Sequence, residues 1–113
     1  MREAMIILPQ QDNDGRSLQH VRHYAELSLA RAFGGVTTSS AKGSWVDPKG
    51  NLITEPVWQM VAAYEPSPAN DAKLYSVARY VGSEGKQQAV YLRYASGDVS
   101  ILDTAAPAIR EVA

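Results

Sequence analysis

The chain has 113 residues, of which 11 are basic and 12 acidic for a formal net charge of -1, and 45% are hydrophobic. That is one domain of ordinary globular composition, too apolar and too evenly charged for a disordered chain and without the basic excess that binding to nucleic-acid phosphates requires. Cysteine is absent, which excludes disulfides, thiolate metal sites and cysteine nucleophiles together and fits a reducing, cytoplasmic setting.

In chain order, Ala4-Met5-Ile6-Ile7-Leu8 is nearly continuous in apolar residues and reads as a short buried strand stopped by Pro9. The run is too short for a signal peptide, and no stretch approaches the ~18 residues of a membrane span. After a polar loop with Gly15, Ser17 is placed to cap a helix whose stripe is Leu18, Val21, Ala25, Leu29 and Ala32, ended by Gly34-Gly35. Val36-Thr37-Thr38 is β-prone, and the small polar run from Ser39 to Gly43 reads as a mobile loop or bulged strand. Asp47-Pro48-Lys49-Gly50-Asn51 then has the chemistry of a hairpin turn between Trp45-Val46 and Leu52-Ile53. A long strand runs from Ile53 to Tyr64, held at an edge or bulged at Pro56, which has no amide to donate.

Ser67 followed by Pro68 starts a second helix with the buried stripe Leu74, Val77, Ala78 and Val81, which Gly82 to Gly85 end. Strands follow at Ala89–Tyr94 and Val99–Leu102, joined by a turn at Ser96-Gly97-Asp98. Right-handed crossovers turn this order into an α+β, ferredoxin-like β-α-β-β-α-β sandwich with an extra C-terminal strand and both helices on one face of an antiparallel sheet. Residues 1–103 form the single expected domain and 104–113 a C-terminal tail.

The sheet face away from the helices needs explaining. Along the long strand, Val57, Gln59, Val61 and Ala63 alternate with Trp58, Met60, Ala62 and Tyr64, and both sets are largely apolar. A sheet with one wet face shows polar residues at alternate positions. A partner copy, the chain's own hairpin and extra strand, or a bound ligand would each cover such a face.

No motif specifies chemistry. His20, His23 and Glu26 share a helix face, but no second ligand cluster accompanies them, so a solvated face is the simpler reading and no metal is expected. Gly34-Gly35-Val36-Thr37-Thr38-Ser39-Ser40 lacks the ending of a phosphate loop and follows a helix rather than preceding one. Glu55, between Trp45 and Trp58 in sequence, is either an acid–base group raised by aromatic neighbours or an edge charge that discourages aggregation. Tyr91 and the tryptophans suit a stacked ring or an interface equally. The basic residues Arg16, Arg22 and Arg31 are scattered, which makes no strong nucleic-acid signal.

Gly35-Val36-Thr37, Gly43-Ser44-Trp45, Gly50 and Glu55 together form a Gly-x-Thr, Gly-x-Trp, turn-Gly, Glu pattern. It resembles that of small ferredoxin-like proteins of bacteria and their phages, and Gln88-Ala89-Val90 resembles their last core strand. The resemblance carries a fold and no activity, and it implies that the Trp45 hairpin is the defining surface.

These features lead to the expectation of a non-enzymatic binding protein without a cofactor. It would be a homodimer through the open sheet face, phage- or mobile-element-encoded and acting on a host component. The alternative is a small-ligand protein for a nucleotide or sugar, or a small enzyme, with a pocket at the hairpin lined by Trp45, Trp58, Glu55 and Tyr91 and with Glu55 as its polar anchor. Thr37 and Arg93 join these four as residues expected to touch a ligand or partner.

Overall fold

The elements follow one another as β1 (Arg2–Pro9), α1 (Gln19–Phe33), β2 (Thr37–Val46), β3 (Leu52–Tyr64), α2 (Pro68–Glu84), β4 (Ala89–Arg93) and β5 (Val99–Asp103). This is the order in the computed structural model, which describes residues 1–103, so the expected tail lies outside the described residues. The strands make one sheet in the order β2-β3-β1-β4-β5, antiparallel at every step. This is the ferredoxin-like arrangement with β5 added beside β4, as the order of elements predicts.

Strand parity decides what is buried. Ala4, Ile6 and Leu8 of β1, Trp58, Met60 and Tyr64 of β3, Val90 and Leu92 of β4 and Leu102 of β5 face the helices. They meet Val21, Ala25 and Leu29 of α1 and Leu74, Val77, Ala78 and Val81 of α2 in one core. Burying a side chain of this size contributes roughly 1.5–3 kcal/mol.

The start of α2 follows the sequence signals, while its end lies later than expected: the helix runs through Gly82 to Glu84, and Gly85 stands at the cap. Ser67 Oγ accepts the Asn70 amide at 3.1 Å and Pro68 opens the helix, satisfying one orphan amide at a point where Pro has none to satisfy. Gly34 ends α1 at φ 93°, a left-handed position that a Cβ would strain. The α1 start departs from expectation by one residue. Ser17 forms an isolated bridge with Gln11 and is held outside the helix, where its hydroxyl accepts the Gln19 amide at 3.2 Å while Leu18 stands at the cap position.

β2 is the larger departure. The run from Ser39 to Gly43 is neither loop nor bulge: it pairs residue by residue with β3, Ser39 opposite Gln59 through Gly43 opposite Glu55. Ladder hydrogen bonds to a long partner outweigh its poor strand propensity. Pro56 fits this regular ladder because β1 has already ended, at Pro9 opposite Val57. No β1 residue there calls for the missing amide, and the Pro56 carbonyl accepts the Gln10 amide at 3.0 Å.

A buried tyrosine ties the sheet to α2 and the β4–β5 turn. Tyr64 Oη donates to Asp71 Oδ1 at 2.7 Å and accepts the Ala95 amide at 3.3 Å. Burial, then the Asp71 bond, pushes its phenol well above the ordinary tyrosine range, so it remains a neutral donor.

Candidate functional site

The register assigns the open face row by row. Residues directly opposite one another share a face. Thr37, Val61, Met5, Arg93 and Val99 form one row across the sheet. Ser39, Gln59 and Ile7 form the next, which the β1–β4 register continues to Tyr91 and Ile101. Beyond β1 the hairpin continues alone, with Gly43 opposite Glu55 and Trp45 opposite Ile53.

Ile101 is 62% exposed, Val99 53% and Trp45 46%, so a largely apolar face stands open in one copy of the chain. The charges that strand parity places on this face are few: Glu3, Glu55, Arg93 and Asp103.

The hairpin arm is held at its tip by Asp47, whose Oδ1 accepts the Lys49 and Asn51 amides at 2.9 and 2.8 Å. Gly50 takes φ 87° there, as the turn requires. Ser44 and Thr54 hydroxyls meet at 3.0 Å on the arm's other face. Two strands without a third are marginal in water. This pair nevertheless exposes Val46 and Leu52 at its end.

Glu55 lies on this arm, partly buried, and burial raises its carboxyl above the ordinary glutamate range. The residue opposite is Gly43, where a Cβ would press on Val57 Cγ1 at 3.2 Å. The Val57 side chain already fills the space that a side chain at position 43 would take, so the glycine serves the packing of the arm. Glu55 and Val57 thus lie on the arm's open face with Trp45 diagonally across from Glu55, within reach of an aromatic ring. This arrangement can hold a cation or a proton beside a flat apolar surface.

Of the expected contact residues, Thr37, Trp45, Glu55, Tyr91 and Arg93 share the open face, and Trp58 does not. Trp58 points into the core at 7% exposure, under the Arg22 guanidinium 4.7 Å from its ring centre. Arg22 Nε in turn lies 3.6 Å from Glu26, which accepts the Thr38 hydroxyl. Tyr91 stands two strands from β3 and four residues down the sheet from Glu55, about 16 Å away by strand spacing and rise. The expected single pocket of Trp45, Trp58, Glu55 and Tyr91 therefore does not close within one copy. Gly43 and Val57, which sequence reasoning did not place among the contact residues, are brought to Glu55 by the hairpin register.

Two shallow concavities lie elsewhere. One on α1 is lined by Ser17, Gln19, His20, Arg22 and His23, and Glu26 is turned away from it towards Thr38. The other lies where β2 leaves α1, lined by Phe33, Val36, Thr37, Val61, Glu3 and their neighbours. Among the described residues no group of three metal-binding side chains occurs, and no helix is long and apolar enough to cross a membrane.

No family model and no curated protein matches the chain. Its fold does match solved structures. A phage SAM lyase in complex with S-methyl-5'-thioadenosine is similar with a TM-score of 0.68 at 16% identity, over 89% of this chain and 88% of the other. A phage SAM lyase in the apo state gives 0.69 at 17% identity, over 93% and 90%. At such identity the likeness establishes the fold. It also corrects the leading functional expectation, because the solved relatives of this fold are an enzyme with a nucleoside ligand and not a non-enzymatic interaction module. The small-ligand alternative is in better accord with these structures.

Proposed function

We propose that this protein is a small-molecule enzyme that binds S-adenosylmethionine and cleaves it to S-methyl-5'-thioadenosine, with the cationic part of the substrate held at Glu55 on the hairpin arm. The observation that carries the reading is the end-to-end fold likeness to a lyase in complex with that thioether. The partly desolvated carboxylate beside Trp45 supports it, since it suits a sulfonium attached to a flat ring system. A sulfonium sulfur leaves as a neutral thioether, taking the electron pair of the broken carbon–sulfur bond. The four-carbon fragment closes on its own carboxylate and neither water nor a proton is consumed. The protein's task is to position the substrate, and a carboxylate that attracts the charged substrate releases the neutral product. S-adenosylmethionine is an intracellular metabolite, so the reading also carries a cytoplasmic location.

Incubation with S-adenosylmethionine, followed by proton NMR, is expected to show S-methyl-5'-thioadenosine accumulating over many turnovers. If the substrate persists unchanged and neither compound raises the melting temperature, the reading fails.

A second copy of the chain is the proposed cover for the open face and the hairpin arm. Support comes from the exposed Trp45, Val46, Leu52, Val99 and Ile101, which one copy leaves in water. Light scattering after size exclusion is expected to give a mass above one chain at micromolar concentration, and Ile101→Glu to lower it. A single-chain mass for the unaltered protein removes this part.

A further inference from the structure

β1 ends at Pro9, opposite Val57, and the ladder continues beyond it as the two strands of the hairpin arm. A two-stranded ribbon twists more strongly than a wide sheet and is marginal alone. The angle at which the arm carries Trp45 and Glu55 therefore has to be set at its base. One residue there has bonds to β3, β2 and the start of α1. The Gln10 amide donates to the Pro56 carbonyl at 3.0 Å. The Gln10 carbonyl, which Pro56 has no amide to serve, accepts the Leu18 amide at 2.9 Å, at the cap of α1. Gln10 Nε2 donates to the Val57 carbonyl at 3.0 Å and to the Ser40 hydroxyl at 3.3 Å. The side chain thus crosses β3 to reach β2 and fastens both strands of the arm to the end of β1.

The placement suits a residue that acts through others. Strand parity, continued from Ala4, Ile6 and Leu8, puts Gln10 on the helix side of the sheet, where Ser40 lies opposite Trp58. Glu55 and Trp45 lie on the other side. The two carbonyls that Gln10 holds belong to the residues directly after Glu55. Glu55 is two residues from Val57 and Trp45 five from Ser40, about 7 and 17 Å at the rise of a strand. A turn of roughly 10° at the base moves them by about 1 and 3 Å, and an error of about 1 Å in placement can cost a hundredfold in rate.

We infer that Gln10 is a positioning residue that sets the angle of the arm, and through it the placement of Glu55 and Trp45, without touching the substrate. The kinetic side of this inference rests on the proposed cleavage, and the structural side stands apart from it.

Two variants test it. Gln10→Ala removes both side-chain bonds. Gln10→Glu keeps the size of the side chain but, ionised, has no hydrogen to donate. Hydrogen exchange of the isotope-labelled protein, followed by NMR, reads the arm separately from the core. In both variants the amides of Gly43, Trp45 and Glu55 are expected to exchange about threefold to tenfold faster, the factor one hydrogen bond supplies, while those of Ile6 and Met60 keep their rates. With S-adenosylmethionine, kcat should fall about tenfold and KM change by less than about threefold, the pattern of lost placement rather than lost affinity. Unchanged exchange at Ile6 and Met60 distinguishes this from a loss of folded protein. Arm and core accelerated to the same degree, or an arm with unchanged exchange, overturns the inference, as does an unaltered kcat in variants of a protein that cleaves S-adenosylmethionine. If the unaltered protein does not cleave it, the proposed reaction fails and the exchange rates alone decide whether Gln10 sets the arm.

Discussion

Glu55→Gln is expected to lower kcat/KM for S-adenosylmethionine by about tenfold to a hundredfold, the range for losing a charge-assisted contact, with most of the change in KM. The amide keeps the size of the side chain and its place opposite Gly43, so the surface of the arm keeps its shape and only the charge is removed. A contact made equally in the bound substrate and in the transition state appears in KM. The same logic sets the pH dependence. Only the ionised carboxylate attracts a sulfonium, so kcat/KM of the unaltered enzyme should fall as pH drops through the raised Glu55 value, and the variant should lack that limb. A variant with unchanged kcat/KM at every pH would remove Glu55 from the site.

The same substitution makes a separate prediction about stability. A carboxyl whose folded-state pKa is raised favours the fold only while protonated. Its contribution is complete below the unfolded value and is lost as pH rises through the higher folded one. At neutral pH the ionised Glu55 works against folding, so Glu55→Gln should melt no lower than the unaltered chain, and slightly higher. The difference closes in acid, where both side chains are neutral. It is small throughout because water still reaches and screens the group. Higher stability together with lost binding is the pattern of a residue kept for function at some expense to the fold.

What was legible in the sequence was what is local. The Ser67-Pro68 start, the Gly34 stop, the Asp47–Asn51 turn and the two-sided apolar alternation of β3 each depend on residues a few positions apart, and the structure has them all. What was not legible depends on partners far along the chain. Ser39 to Gly43 reads as loop because its residues are poor strand formers, and only the pairing with Glu55 to Gln59 makes it strand. Trp58 looks like a companion of Trp45 in composition, but its parity within β3 places it with Met60 and Tyr64 in the core. The hairpin register, which sets Gly43 beside Glu55, is likewise invisible until the turn is closed. The proposed activity leaves little trace in a sequence for a chemical reason. A sulfonium departs without a catalytic nucleophile, so a protein that only positions it needs no triad or metal box.

The two neighbouring isoleucines of β1 separate the fold from its open face. Ile6 is fully buried opposite Met60, within the core that α1 and α2 cover. Ile6→Ala removes packing and leaves a cavity that a sheet clamped between β3 and β4 cannot collapse to fill, which costs about 2–5 kcal/mol. For a domain of this size each kcal/mol lowers the melting temperature by roughly 4–8 °C, so the variant should melt more than about 10 °C below the unaltered chain. Ile7 is one residue away, on the opposite face, opposite Gln59 and only partly buried. Ile7→Glu should leave the melting transition of the separated chain nearly in place and lower the mass measured by light scattering, because a charge is then placed in the middle of the proposed contact between copies. Calorimetry and light scattering on the pair distinguish the outcomes. Equal destabilisation by both changes would mean that the second face is a part of the single-chain core after all, and an unchanged mass with Ile7→Glu would mean that copies associate elsewhere.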